Sequence, residues 1–234
     1  MTATVQRGII WDVDGTLVDT AKLHFDAWLR LAKELGRDFT EADFAATFGR
    51  RNPEIMDYLF DGAYSYDEGI ALGERKEGYY RTEAEKQGIE FLPGVRPLVE
   101  AFAAMGIPQA IGSSAPVGNL TMILRLTDSA KYFHTVVGME DTRKGKPDPE
   151  VFLTGATRMN VVPVACLVFE DAIAGIEAAT AAGMASVGVT FVGHHPAEKL
   201  RAAGAHRIVR TLEELSASDV VAAIDAHRET AMRS

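Results

Sequence analysis

Long apolar runs are missing from this chain of 234 residues. None approaches the roughly 18–20 consecutive apolar residues needed to cross a bilayer, and the first residues lack the basic flank, apolar stretch and cleavage site of a secretory signal. A cytoplasmic protein with no membrane partner is therefore expected. Cysteine is almost absent. Cys166 stands alone, which excludes a disulfide within the chain, and its setting, Val164-Ala165-Cys166-Leu167-Val168-Phe169, reads as a buried thiol rather than a nucleophile or ligand. Basic residues are in deficit, 24 Lys and Arg against 33 Asp and Glu for a net charge of −9, which argues against a nucleic-acid partner gripped along a basic face. The deficit leaves room for a small phosphate ligand, because one anionic group can be met locally by a metal ion, a lysine and a few backbone N–H groups.

What is present suffices for one substantial core, at 47% hydrophobic residues, with a smaller module inserted in it. The run Gly8-Ile9-Ile10-Trp11 is short, partly β-branched and ended by Asp-x-Asp-Gly, as a buried strand running into a polar turn would be. From Asp19 to about Gly88 the pattern turns helical. His24, Trp28, Leu31 and Leu35 share one helix face, Gly36 marks a stop, a second helix starts at Thr40 with Asp43 as an imperfect capping box, a third at Asn52-Pro53 with Asn52 as cap, and a long fourth spans 67–87.

Beyond Leu92-Pro93-Gly94, helices expected over 95–105, 118–126, 149–159, 175–182 and 196–203 alternate with strands over 109–111, 135–137, 164–169, 186–189 and 207–209. Such alternation indicates an α/β fold, a Rossmann-like doubly wound parallel sheet, and ligands of such sheets bind beyond the carboxyl ends of the strands. The expected division is a core domain of residues 1–18 and 91–234 and an all-helical cap domain of residues 19–90.

Polar clusters lie at or beside those strand ends: Asp12-Val13-Asp14-Gly15-Thr16, Gly112-Ser113-Ser114, Lys144-Gly145-Lys146-Pro147 and Glu170-Asp171. Several carboxylates in one crevice repel unless a divalent cation sits among them, and oxygen ligands without His or Cys point to Mg2+. Asp12 would attack a phosphoryl group as nucleophile, with the cation and Lys146 offsetting the like-charge repulsion. Asp14 would be the general acid and base, Ser113 would hydrogen-bond the phosphoryl group, and Gly15 would let backbone N–H groups approach it. Ser114 is either a second phosphate contact or a helix cap.

These residues, in this order, resemble the haloacid dehalogenase superfamily over nearly the whole chain, and the helical insertion resembles the C1 cap of its phosphatase and β-phosphoglucomutase branch. The resemblance implies a metal held by the Asp12 carboxylate, the Asp14 backbone carbonyl and the Glu170-Asp171 pair, with Gly15 and Thr16 receiving the phosphate and Lys146 selected over Lys144 by its Lys-Pro-Asp-Pro context. Asp19, Thr20, His24 and Lys76 match hinge and cap positions that couple cap closure to proton transfer, although His24 also fits a packed helix residue. Arg50 and Arg51 fall on a cap loop that would face the site, where one of them clamps a second anionic group or both remain solvated. His194 and His195 read as surface loop residues.

The same resemblance implies a Mg2+-dependent phosphatase of a small phosphorylated metabolite, such as a sugar phosphate, and a monomer is expected. A β-phosphoglucomutase is the alternative, favoured by Asp19, Thr20, His24 and Lys76 and weakened because Asn52, with Arg51 adjacent as a substitute, stands where mutases carry a phosphate-binding arginine and Ala115-Pro116 where they carry Ser-Lys. A non-catalytic sensor of a phosphometabolite is the third reading.

Overall fold

A computed structural model describes residues 6–233, so residues 1–5 and 234 of the expected core segment lie outside the described residues. Strand β1 (Gly8–Trp11) opens the fold and is followed by four helices, α1 (Ala21–Glu34), α2 (Glu41–Thr47), α3 (Asn52–Phe60) and α4 (Tyr66–Gln87). The chain then alternates through α5 (Val95–Ala104), β2 (Gln109–Gly112), α6 (Val117–Leu126), β3 (Thr135–Val137), α7 (Glu150–Arg158), β4 (Cys166–Glu170), α8 (Ile173–Ala181), β5 (Ala185–Val189), α9 (Ala197–Ala202), β6 (Arg207–Val209) and α10 (Ala217–Ala231). The sheet has six strands in the order β3-β2-β1-β4-β5-β6, every neighbouring pair parallel. The strand order reverses between β1 and β4, and the crevice at such a switch point is where a doubly wound sheet holds its ligand.

Side chains alternate across the sheet and sort the apolar residues onto two faces. Ile9, Trp11, Leu167 and Phe169 join Leu98, Phe102, Ile123, Val220 and Ile224 on one, and Ile10, Val168 and Cys166 join Phe152, Ala156 and Ala178 on the other. Trp11 stacks on Phe169 at 4.3 Å between ring centroids, and its indole N–H donates to Gln109 Oε1 at 2.9 Å, so a bulky residue at the mouth of β1 is both buried and satisfied. The inserted helices have their own apolar centre of Trp28, Leu31, Phe39, Ile55, Met56 and Leu59. Each such side chain contributes about 1.5–3 kcal/mol on full burial.

Local signals explain most element starts. Thr40 and Asp43 form a complete capping box, each side chain bonding the other's backbone N–H. Ser65 and Glu68 do the same, so α4 begins at Tyr66, a residue earlier than expected. At α3 the cap is Arg51 rather than Asn52. Asn52 is already the first helical residue, buried with its amide turned onto α4. The terminal helix α10 was not anticipated at all; it is capped by Ser216 with Asp219 and pinned by Arg7 to Asp225 at 2.9 and 2.8 Å. Among the described residues no helix is long and apolar enough to cross a membrane.

Candidate active site

Asp12 follows directly on β1 and Glu170 closes β4, and the pairing of Trp11 with Phe169 brings the two carboxylates to one edge of the sheet. Lys146, from the loop before α7, reaches between them. Its Nζ donates to Asp12 Oδ1 and to Glu170 Oε1, each at 2.6 Å, with all three residues buried. The remaining Glu170 oxygen accepts from the Ala172 backbone N–H at 2.7 Å. Burial alone would lower the pKa of the Lys146 ammonium, but Asp12 and Glu170 raise it above its ordinary value. Burial pushes the Asp12 carboxyl up to about 8 against the pull of Lys146, with the charge of Glu170 adding to the rise. Asp171 is driven well above the usual carboxylate range by burial and by the charges of Glu170 and Asp12.

Asp171 carries the decisive anomaly. Both of its carboxylate oxygens are buried and neither has a hydrogen-bond partner. A buried carboxylate left bare in this way costs several kcal/mol unless it takes up a proton or meets a cation. Oxygen atoms of Asp12, Glu170 and Asp171 lie within 4.8 Å of one another, a compact and purely oxygen-donating set of the kind that holds a hard divalent cation.

Asp14 belongs to a separate network. Its Oδ1 accepts a short hydrogen bond from Thr20 Oγ1 and lies 3.3 Å from His24 Nε2, while Lys76 Nζ meets His24 Nδ1 at 2.7 Å. An ammonium can only donate, so Nδ1 is the acceptor and the ring proton sits on Nε2, facing Asp14. Burial would raise the Asp14 carboxyl, but His24, Thr20 and Lys76 outweigh it and hold it below its ordinary value. His24 also stacks on Tyr80 at 4.1 Å, so it is packed and pointed at a carboxylate at once.

The cavity above these groups is lined by Asp12, Asp14, Ser113, Ser114, Lys146, Glu170 and Asp171 from the sheet side. From the cap side it is lined by His24, Trp28, Phe44, Phe48, Arg50, Asn52, Lys76 and Glu77. Ser113 is buried and its Oγ accepts from the Ala115 N–H at 3.1 Å, which leaves its hydroxyl proton free to donate. Ser114 does not cap α6, whose cap is Pro116. Thr16 is fully buried with its hydroxyl unpartnered, and Gly15 adopts φ +91° against Asp171.

The two cap arginines part company. Arg50 lines the cavity and is exposed, whereas Arg51 is buried and bonds Thr142 Oγ1 and the carbonyls of Thr142 and Lys144. Gly145 makes room for it, since a Cβ there would lie 3.1 Å from Arg51 Nε and 3.0 Å from Glu54 Oε1.

Some residues at the site were not anticipated. Glu77 is a buried carboxylate that accepts from Asn52, Lys76 and Asn119. The small residues Gly69 and Gly73, in register with Lys76, Tyr80 and Ala84, were the available sign that one face of α4 is closely covered. A Cβ on Gly73 would meet Asn52 Cβ at 2.6 Å, so the glycine lets α3 lie against α4 beside the cavity. His194, expected on the surface, is half-buried and packs on Phe48 at 4.2 Å, bringing the loop after β5 against the cap.

Residues 9–189 match the family model for haloacid dehalogenase-like hydrolases, and that span carries all of these groups except His194. The chain belongs to this family. It is 33% identical over 216 residues to a phosphorylated carbohydrates phosphatase of Thermotoga maritima, covering 90% of this chain and 97% of that one. To a β-phosphoglucomutase of Bacillus subtilis it is 35% identical over 189 residues, covering 78% and 83%. The solved structure of a β-phosphoglucomutase from Clostridium difficile superposes with a TM-score of 0.84 at 26% identity, covering 95% of this chain and 99% of that one. The haloacid dehalogenase fold here is thus an enzyme of the phosphatase and phosphoglucomutase kind, with a helical cap over a parallel sheet.

Proposed function

We propose that the protein is a Mg2+-dependent phosphatase that hydrolyses a small phosphorylated carbohydrate through an aspartyl phosphate on Asp12, acting as a single soluble chain in the cytoplasm. The observation that carries this reading is the pairing of two carboxylates in different environments. Asp12 is held by Lys146 among the metal-binding acids, and Asp14 is held apart by Thr20, His24 and Lys76.

Asp12, Glu170 and Asp171 would hold the Mg2+, together with the Asp14 carbonyl that the family resemblance adds, and the ion would supply Lewis-acid stabilisation of charge on the phosphoryl oxygens. Asp12 attacks phosphorus as a carboxylate while the bond from phosphorus to the sugar oxygen breaks, and the departing oxygen takes a proton from Asp14. The phosphate dianion, arriving beside Asp14, raises the proton affinity that His24 and Lys76 otherwise depress. In the second half Asp14, now a carboxylate in the environment that favours that form, removes a proton from water. The water oxygen attacks phosphorus, the acyl phosphate bond breaks, and inorganic phosphate leaves. Lys146 and the Ser113 hydroxyl hold the phosphoryl oxygens through both steps.

The mutase reading differs in replacing water with a sugar hydroxyl, and it requires the cavity to hold a second phosphate. Where mutases of this family carry a cationic side chain this chain has Asn52, bonded to the buried carboxylate of Glu77, and Arg51 is spent on the core loop. These contacts favour hydrolysis. A parallel assay decides: phosphate release from a panel of sugar phosphates with Mg2+, against conversion of β-glucose phosphate from its 1- to its 6-isomer with a trace of bisphosphate. Prompt phosphate release without isomerisation supports the phosphatase, and rapid isomerisation with little free phosphate replaces it with the mutase.

A further inference from the structure

The cap and the core are joined by two buried polar side chains that the chemistry above leaves unused. Glu77 on α4 and Asn119 on α6 are 1% and 0% exposed, and Asn119 Nδ2 donates to Glu77 Oε2 at 2.7 Å. The amide cannot turn over without loss, because its Oδ1 accepts from Arg81 Nη1 at 3.1 Å. The other Glu77 oxygen accepts from Lys76 Nζ at 3.0 Å and from Asn52 Nδ2 at 2.7 Å. Lys76 leads to His24, and His24 to Asp14. An unbroken series of contacts therefore runs from α6, the helix that follows Ser113, through the cap and back to the acid–base residue.

Glu77 is the member of that series bonded from both sides. A fully buried carboxylate is tolerated only when its lone pairs are filled, and one of those bonds comes from the core. The Glu77 carboxyl is pushed down to about 2, burial being outweighed by Lys76, His24, Asn119 and Asn52, so it remains an anion. Its charge balances the buried Lys76, the residue that fixes the His24 tautomer facing Asp14.

We propose that Glu77 and Asn119 are a positioning pair whose contact forms when the cap seats on the core and, through Lys76 and His24, sets Asp14 for proton transfer. This rests on the phosphatase reading of the site.

The test exchanges donor and acceptor. Asn119→Asp places two carboxylates face to face, whereas adding Glu77→Gln restores the bond in reverse, the new amide donating to the new carboxylate. Asn119→Ala removes the donor without adding charge and guards against a misfolded Asn119→Asp. Each variant is assayed with Mg2+ on a sugar phosphate, whose alkoxide leaving group needs a proton, and on para-nitrophenyl phosphate, whose leaving group needs little help. Acrylamide quenching of tryptophan fluorescence gives a readout independent of turnover, because Trp28 lines the cavity under the cap while Trp11 is sealed in the sheet.

Asn119→Asp is expected to slow the sugar phosphate by about tenfold or more, a fraction of the ~10²–10⁴ that a positioned proton donor contributes. Para-nitrophenyl phosphate should change far less, quenching should rise, and the double variant should recover the quenching fully and the sugar phosphate rate in part, because the charge beside Lys76 moves one hydrogen bond away. Asn119→Ala should fall between with the same ester selectivity. Equal losses on the two esters, no recovery in the double variant, or unchanged quenching would overturn the proposal. Should the unaltered protein release no phosphate from either ester, the phosphatase reading fails, and the quenching series still decides whether the pair seats the cap.

Discussion

The carboxylate of Asp171 occupies the space that a Cβ on Gly15 would need. Gly15 also has φ +91°, which other residues adopt only at a cost of about 1–3 kcal/mol. Gly15→Ala should therefore fold with reduced stability and displace Asp171, the one carboxylate of the proposed metal site that has no hydrogen-bond partner. The expected outcome is loss of most of the rise in Tm that Mg2+ gives the unaltered protein, together with near-complete loss of turnover. A Mg2+-dependent rise in Tm equal to that of the unaltered protein would mean that Asp171 does not hold the ion.

Asp12 and Asp14 should fail differently. Asp12→Asn removes the attacking oxygen, so no phosphoenzyme forms with any ester. Asp14→Asn leaves the nucleophile and Lys146 in place and removes only proton transfer, so hydrolysis of a sugar phosphate should fall by about 10²–10⁴-fold while para-nitrophenyl phosphate still phosphorylates Asp12. Rapid-quench detection of the acyl phosphate distinguishes them. Labelling of the Asp12→Asn protein would remove Asp12 from the mechanism.

The sheet and the carboxylate cluster were legible in the sequence because Asp12, Ser113 and Glu170-Asp171 directly follow or close short apolar runs, and a parallel sheet brings such ends to one edge, whereas Lys146, nine residues beyond β3, was marked only by its Lys-Pro-Asp-Pro context. Helix α10 was not, because only Val220 and Ile224 along it are fully buried and its polar residues blur the stripe; the Ser216–Asp219 capping box was the signal to use. The tie between Glu77 and Asn119 was out of reach for another reason. Asn119 has no partner nearby in the sequence, the Lys76 next to Glu77 reads like any other charged pair on a helix, and the meeting of the two residues depends on how the cap lies on α6. Arg51 is a similar case: its neighbour Arg50 lines the cavity, and the sequence alone gives no sign of which way each side chain turns.

The metal-site acids give a pH dependence with a definite sign. Without the ion, burial and the neighbouring carboxylates push Asp12 and Asp171 well above the usual carboxylate range, so the folded state holds protons that the unfolded chain has lost. The stability these protonated forms confer is complete below the unfolded carboxylate pKa and is lost as pH rises through the folded values. His194, His195 and His206, lowered by burial, act in the opposite sense, so the quantity to read is the increment that Mg2+ adds. Binding the ion requires the carboxylates, and the increment in Tm should grow from pH 6 to pH 8.5 as fewer protons must be displaced, about 1.4 kcal/mol for each proton and pH unit at most. Calorimetry in two buffers of different ionisation enthalpy should show protons released on binding at pH 7. An increment that is flat with pH would place the ion elsewhere.

Arg50 and Arg51 should separate substrate recognition from cap attachment. Arg50 faces the cavity, so Arg50→Ala should raise KM for the preferred substrate, shift the preference among sugar phosphates and leave Tm nearly unchanged. Arg51→Ala strips the Thr142 hydroxyl and the Thr142 and Lys144 carbonyls of their donor in a buried contact, at a cost of about 1–3 kcal/mol in stability. The loop so loosened runs directly into Lys146, which bridges Asp12 and Glu170, so kcat should fall on every ester alike with little change in preference. Arg51→Lys, which keeps the charge but cannot span these acceptors, should recover little. A shift in substrate preference for Arg51→Ala at unchanged Tm would reverse the assignment and make Arg51 the residue that meets the substrate.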